Sequence, residues 1–169
     1  MAIDWIKFPR SHRISEPGLS IIQVFQDCEN QIDSSEHQHN SDRVLLELTP
    51  GLSSLGYEVE TGKSQVDKVS IPVLYGKNGK PTKSYDVDAY NREMRYIVEV
   101  EAGAGVANNR FLVDLVKACT MSEVDRVCIA VRNQYGKAKD FNTVTNYLES
   151  IYVSGRLVLP LDEVLIVGY

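Results

Sequence analysis

The chain has 169 residues, of which 43% are hydrophobic and 24% charged, with a formal net charge of −5. That length and apolar content suit one soluble globular domain with a sizeable core, and the acidic balance weighs against a polyanionic partner unless positive charge is gathered locally. No window approaches the apolar length of a membrane span, and Met1 to Arg10 lack the apolar run and small-residue cleavage site of a leader, so a cytoplasmic protein with no membrane contact is expected.

Residues 1–18 mix Lys7, Arg10, His12 and Arg13 with Trp5 and Phe8 at no clear period, which predicts an N-terminal arm ordered on assembly or binding. After Pro17-Gly18, Leu19, Ile22, Val24, Phe25, Cys28 and Ile32 recur at near-helical spacing and predict a helix from Leu19 to Asp33. The polar stretch Ser34 to Ser41 breaks it. His37 and His39 within that break have no third ligand nearby and are expected to be exposed rather than metal-bound. Cys28, Cys119 and Cys128 are odd in number, far apart and set among apolar neighbours, and read as reduced core thiols.

Ser41 or Asp42 is expected to cap a second helix, Arg43 to about Leu55, with Val44, Leu45, Leu48 and Leu52 on its core face and Pro50 kinking it. Leu55-Gly56 ends that helix and Tyr57 to Glu60 begins the first strand. Val66 to Tyr75 predicts a second, edge-like strand because Pro72 removes a donor, and Asn78-Gly79 marks a tight turn after it. From Thr61 to Ser84 the chain carries Lys63, Lys68, Lys77, Lys80 and Lys83 against Asp67 alone. Two readings stand for this local positive charge: a solvated edge kept from aggregating by its lysines, or phosphate contact, with Lys63 and Lys83 as the candidates.

The centre of the chain is Ser84 to Ala89, then Tyr90 to Met94, then Arg95 to Gly103. Both flanks alternate with period two and predict a β-hairpin. Asp86 and Asp88 point to one side of their strand together, and so do Glu99 and Glu101 on theirs. Symmetric pairing about the turn sets Asp86 opposite Glu99 and Asp88 opposite Ile97, with all four acids on one face of the sheet. Val87, Ala89, Tyr96, Val98 and Val100 supply the apolar opposite face. Like charges opposed on a sheet are destabilising, so the pattern calls for a counter-ion; oxygen ligands without Cys or His suit Mg²⁺ or Mn²⁺ better than zinc.

Ala102 to Asn109 is a small-residue loop leading into a helical stripe, Arg110 to Cys119. Its Gly-x-Gly lacks both the P-loop Lys-Ser/Thr pair and a third Rossmann glycine, so no nucleotide cofactor is expected. The loop reads instead as a flexible connection that brings backbone amides, Asn108, Asn109 and Arg110 toward a substrate phosphate. Asp125 to Asn133 is near-continuously apolar and predicts a buried strand parallel to Tyr96–Glu101 through a βαβ crossover. Phe141 to Tyr152 predicts a further helix, and Arg156–Pro160 and Val164–Tyr169 close the chain in short apolar segments.

An Asp, about ten residues, then Glu-x-Glu at the end of an apolar strand resembles the metal site of the restriction-endonuclease-like superfamily, the PD-(D/E)xK nucleases. Asp88 or Asp86 takes the Asp position, Glu99 the (D/E) position, and Glu101 stands where most members carry Lys. The Pro of the motif is absent. Some type II restriction endonucleases with Glu or Gln at that place remain active, and this chain resembles that subgroup. The resemblance implies an α/β fold, a restriction-endonuclease-like α/β/α core with a mixed central sheet, occupying residues 19–169 as a single nuclease domain. It implies Mg²⁺-dependent hydrolysis of DNA phosphodiesters, with Mn²⁺ also suitable. The ion would be held by Asp88 and Glu99, completed by Asp86 or Glu101, with Glu47 as an acid contributed by the preceding helix. Lys117 is the candidate cation in place of the family's lysine. Double-strand cutting by so small a chain implies a homodimer. Two rival expectations are a degenerate nuclease fold that binds nucleic acid or a protein partner, and a Mg²⁺-dependent enzyme acting on a small phosphorylated substrate.

Overall fold

The structure is a computed structural model that describes residues 3–169, with Ala104 described by its backbone alone. Its centre is a mixed six-stranded sheet in the order β1 (Asp4–Phe8), β8 (Glu163–Gly168), β7 (Arg126–Val131), β6 (Tyr96–Val100), β5 (Ala89–Asn91), β2 (Glu58–Val59). The three central strands run parallel, β6 to β7 to β8, and the outer ones pair antiparallel. The expected βαβ crossover is present: α4 (Arg110–Thr120) joins β6 to β7, and Glu99 lies beside Ile129 across the ladder.

Apolar side chains alternate between the two faces of each central strand, which divides the core in two. Tyr96, Val98, Val100, Cys128, Ala130, Leu165 and Val167 pack under α1 (Glu16–Asp27), the short α2 (Glu29–Ile32) and α3 (Ser41–Ser54). Ile97, Val127, Ile129, Val131, Val164 and Ile166 pack under α4 and α5 (Asp140–Ser154). On the same side lies a separate two-stranded ribbon, β3 (Val69–Tyr75) paired with β4 (Pro81–Val87), whose Val69, Ile71 and Val87 are buried against this second cluster.

Several sequence expectations change. Residues 4–8, expected within an arm, form β1, pairing with β8 from Asp4↔Gly168 to Phe8↔Val164; Met1 and Ala2, the rest of that segment's start, lie outside the described residues. The helix expected over 19–33 starts earlier, capped by Ser15 whose hydroxyl accepts from the Gly18 amide at 3.1 Å, and breaks at Cys28. Asn40, not Ser41 or Asp42, caps α3, accepting from the Arg43 amide at 2.9 Å, and the helix continues through Pro50. Of the two closing apolar segments only the second forms a strand, β8, while residues 156–160 take no regular structure.

The central hairpin is also offset. Ala89 pairs with Val98 and Asn91 with Tyr96, two residues from the expected register. A shift of two preserves side-chain faces where β5 and β6 pair, whereas a shift of one would have reversed them. Val87, expected on one apolar face with Ala89, Tyr96, Val98 and Val100, packs instead in the other cluster because β4 leaves the sheet. Continuing that register sets Asp88 beside Glu99. The expected single hairpin arm is in fact split at Asp88: β5 stays in the main sheet while β4 departs to pair with β3.

Candidate active site

The departure of β4 opens a cleft of about 460 Å³ at the carboxyl end of β6, lined by the ribbon's base, β6, the loop after it and α4. Seven carboxylates line it (Asp42, Glu60, Asp86, Asp88, Glu99, Glu101 and Asp114), against the four cations Lys63, Lys68, Arg110 and Lys117.

Asp88 and Glu99 are interlocked at its floor. The Val100 amide donates to Asp88 Oδ2 at 2.7 Å, and the Asp88 amide donates to Glu99 Oε2 at 3.4 Å. The Glu60 amide donates to the Asp88 carbonyl at 2.8 Å, tying in the residue after β2. Burial pushes the Asp88 carboxyl up to about 6; the Val100 hydrogen bond opposes the rise, and the negative charges of Glu60 and Asp114 add to it. Glu99 is 5% exposed, and burial followed by repulsion from Asp88 and Asp114 drives its carboxyl well above the usual range.

Two buried glutamates show the contrast. Glu163, 3% exposed, accepts from the Ser15 amide at 2.9 Å, the Ser15 hydroxyl at 2.8 Å and the Tyr96 hydroxyl at 2.9 Å. That acid is fully used in holding α1 to the sheet. Glu99 Oε1 is buried with no hydrogen-bond partner among the described residues. An orphaned buried carboxylate oxygen costs on the order of 1–3 kcal/mol, so its retention needs a reason outside packing.

Glu101 and α4 form the cleft's wall. Burial, then a hydrogen bond shared with Asp114 and repulsion from it, push the Glu101 carboxyl up to about 8, with the Arg110 guanidinium 3.6 Å away opposing. Lys117 Nζ donates to Asp114 Oδ1 at 2.9 Å. Burial works against the lysine's charge, but Asp114 outweighs it, with help from Glu99, and holds the ammonium above its ordinary value. Gly105 covers Glu101 so closely that an added Cβ would collide with Glu101 Oε2. Glycine allows this close approach, and a larger residue would have to displace the Glu101 carboxylate.

Of the residues expected at the site, Asp86, Asp88, Glu99, Glu101, Lys117, Asn108, Arg110 and Lys63 line the cleft. Asp86 lies on its exposed edge, accepting from the Ser70 hydroxyl, and Lys63 pairs with Asp42 at 2.7 Å. Glu47, Asn109 and Lys83 are elsewhere. Glu47 points along α3 to pair with Arg43, Asn109 takes the left-handed position before α4 with φ 57°, and Lys83 sits 5.0 Å above the Tyr85 ring on the ribbon. His37 and His39 stack on each other, ring centroids 4.9 Å apart, and do not line the cleft.

Sequence reasoning missed Asp114 and Glu60, and counted Lys68 only as one of the lysines between Thr61 and Ser84. Asp114 had a signal: it falls on the stripe of Phe111, Leu115 and Ala118, the buried side of α4, where an acid must be paired. Lys68 and Glu60, joined at 2.7 Å, are brought together by the path from β2 into the ribbon, a tertiary arrangement with no local pattern.

Among the described residues no group of three or more His, Cys, Asp or Glu side chains stands together as a ready-made metal site. The carboxylates are engaged with neighbours instead, Asp88 with Val100 and Glu101 with Asp114. The donor chemistry still fits a hard divalent cation. Asp88 and Glu99 offer oxygen alone, burial raises both carboxyls, repulsion from Asp88 adds to the rise at Glu99, and among the described residues Glu99 Oε1 lacks any partner. No model of a known protein family matches this chain, and no curated protein matches it.

Proposed function

We propose that the protein is a Mg²⁺-dependent endonuclease resembling the restriction-endonuclease-like superfamily, hydrolysing DNA phosphodiesters in this cleft. The observation that carries the reading is Glu99: a buried acid with an orphaned oxygen, interlocked with Asp88 beneath a cleft open to solvent. Asp88 and Glu99 would hold the cation, which when bound supplies Lewis acidity toward a phosphoryl oxygen and acidifies a water.

The remaining roles belong to the chain's own groups. Glu101, whose carboxyl is pushed up to about 8, would take the proton of an attacking water once it is itself ionised. Lys117, fixed by Asp114, presents its ammonium to the scissile phosphate, a charge that gains strength as the cleft loses water. Lys63, Arg110 and Asn108 stand on the rim where flanking phosphates would lie. The net negative charge of the cleft alone would repel DNA, so substrate entry depends on cation binding. Cutting both strands requires two such clefts, which a homodimer supplies.

A second reading, a cleft that binds nucleic acid or a protein partner without hydrolysis, is favoured by the internal pairing of Glu101, Asp114 and Lys117, which already satisfies those groups. Incubation with supercoiled plasmid in Mg²⁺ or Mn²⁺ separates the two. The nuclease reading expects nicked and linear products that vanish with chelator and in Glu99→Gln. Intact plasmid under all conditions supports the second reading.

A further inference from the structure

The ribbon β3–β4 does more than frame the cleft. Its root is fixed: Ile71 and Val87 are 1% exposed, Lys68 before β3 and Asp86 at the end of β4 both line the cleft, and Asp88 follows directly. Beyond the root it leaves the body, and Leu74 through Lys83 are exposed at every one of ten consecutive positions. Its backbone ladder and the turn bond from the Gly76 amide to the Lys80 carbonyl at 2.8 Å are joined by two side-chain hydrogen bonds. The Thr82 hydroxyl donates to the Leu74 carbonyl at 3.3 Å, and the Tyr75 hydroxyl donates to Glu123 Oε1 at 3.3 Å.

Its charge is one-sided. From Val69 to Ser84 there is no acid, in a chain whose net charge is −5, while Lys77, Lys80 and Lys83 all project from the exposed part. Among the described residues none of these three lysines has an ion-pair partner. Lys63, Lys68, Arg110 and Lys117 in the cleft each face a carboxylate, so the ribbon carries the protein's uncompensated positive surface next to the site.

We propose that this ribbon binds duplex DNA, following one strand outward from the cleft through Lys83, Lys80 and Lys77. The proposal rests on the nuclease reading for the occupant of the cleft. At about 3.3 Å per residue the ribbon from Asp86 to Lys80 extends about 20 Å. That spans roughly six phosphates of one strand at about 3.4 Å of axis each. A two-stranded ribbon also fits the major groove, about 12 Å wide, and Leu74, exposed at 61%, gives it apolar surface for base edges. The competing explanation, that the lysines merely guard two open strand edges against aggregation, predicts no effect on DNA affinity.

The test is binding of a fluorescent 30-base-pair duplex, of about 30 base pairs so that it outruns the ribbon, with Ca²⁺ in place of Mg²⁺, over a salt series. Losing three phosphate contacts in K77E/K80E/K83E should weaken binding on the order of 100-fold near 0.15 M salt and flatten the log–log salt slope by about 2.7. K77R/K80R/K83R should bind as wild type, and Mn²⁺ affinity of the cleft should be unchanged in both. A folded K77E/K80E/K83E protein with unaltered affinity and slope would overturn the proposal. Because binding is read without turnover, absence of cleavage would count against the nuclease reading alone.

Discussion

Asp88 and Glu99 are joined through each other's backbone: the amide of Val100, next to Glu99, donates to Asp88 Oδ2 at 2.7 Å, while the Asp88 amide donates to Glu99 Oε2 at 3.4 Å. Each acid is thus fixed by the strand that carries the other. The arrangement brings two acids together at the floor of the cleft; burial raises both carboxyls, and repulsion from Asp88 adds to the rise at Glu99.

The first consequence concerns Glu99→Gln. The glutamine is nearly isosteric with the protonated acid, so the metal-free variant should unfold within about 1 kcal/mol of wild type. A bound ion at about 100 times its dissociation constant adds about 2.7 kcal/mol, which for a chain of this size raises Tm by roughly 5–10 °C. Thermal melts with and without Mn²⁺ should show that rise in wild type and not in Glu99→Gln; an equal rise in both contradicts it.

Stability should fall with pH in chelator. The Asp88 carboxyl is pushed up to about 6 and that of Glu101 to about 8, so the folded state binds more protons than the unfolded chain. Stability is therefore fullest below the unfolded values near about 4, declines as pH rises toward about 8 and then levels off. Solvent screening at the partly open Glu101 lessens its share. A Tm loss of a few degrees between about pH 5 and about pH 9 is expected, reduced in Glu101→Gln. A Tm that rises across this range would be the opposite sign.

Lys117→Met should lower kcat on the order of 100-fold with Mn²⁺ binding kept, because the ammonium acts on the phosphate rather than on the ion. Asp114→Asn removes the charge that opposes burial of Lys117, and the lysine's pKa should drop, shifting the alkaline side of the kcat profile downward. An unchanged profile in Asp114→Asn would remove Lys117 from the site's chemistry.

Gly105→Ala should displace the Glu101 carboxylate, whose Oε2 occupies the place of the new methyl. Burial of Glu101 and its hydrogen bond with Asp114 are then lost, and the acid's pKa should return toward the ordinary value near about 4.3. Carboxyl NMR titration reads this directly; a glutamate still titrating near neutrality would refute the contact.

Much of this layout was legible in sequence where the pattern was local. Runs such as Arg126–Val131, apolar on both faces, announced a central strand, and the Phe111–Ala118 stripe announced the crossover helix that makes β6 and β7 parallel. The acids of the hairpin were found because alternation assigns faces independently of register. What failed depended on distant partners. Asp4–Phe8 becomes a strand only because β8, at the other end of the chain, accepts it. The turn at Arg92–Arg95 is displaced by Arg95, which takes φ 52°, and its side chain bonds Asp125 and the Ser122 carbonyl. Neither contact leaves a trace in the hairpin's own residues. Asp114 lay between Val113 and Leu115, where an acid on an amphipathic helix reads as solvated unless its exact phase is followed.

The central claim is that a divalent cation belongs between Asp88 and Glu99. Crystals soaked in Mn²⁺ test it most directly: an anomalous peak between those two carboxylates, lost in Glu99→Gln, is the result expected. A saturating soak that leaves Glu99 Oε1 as it is, with no peak beside it, would contradict the account.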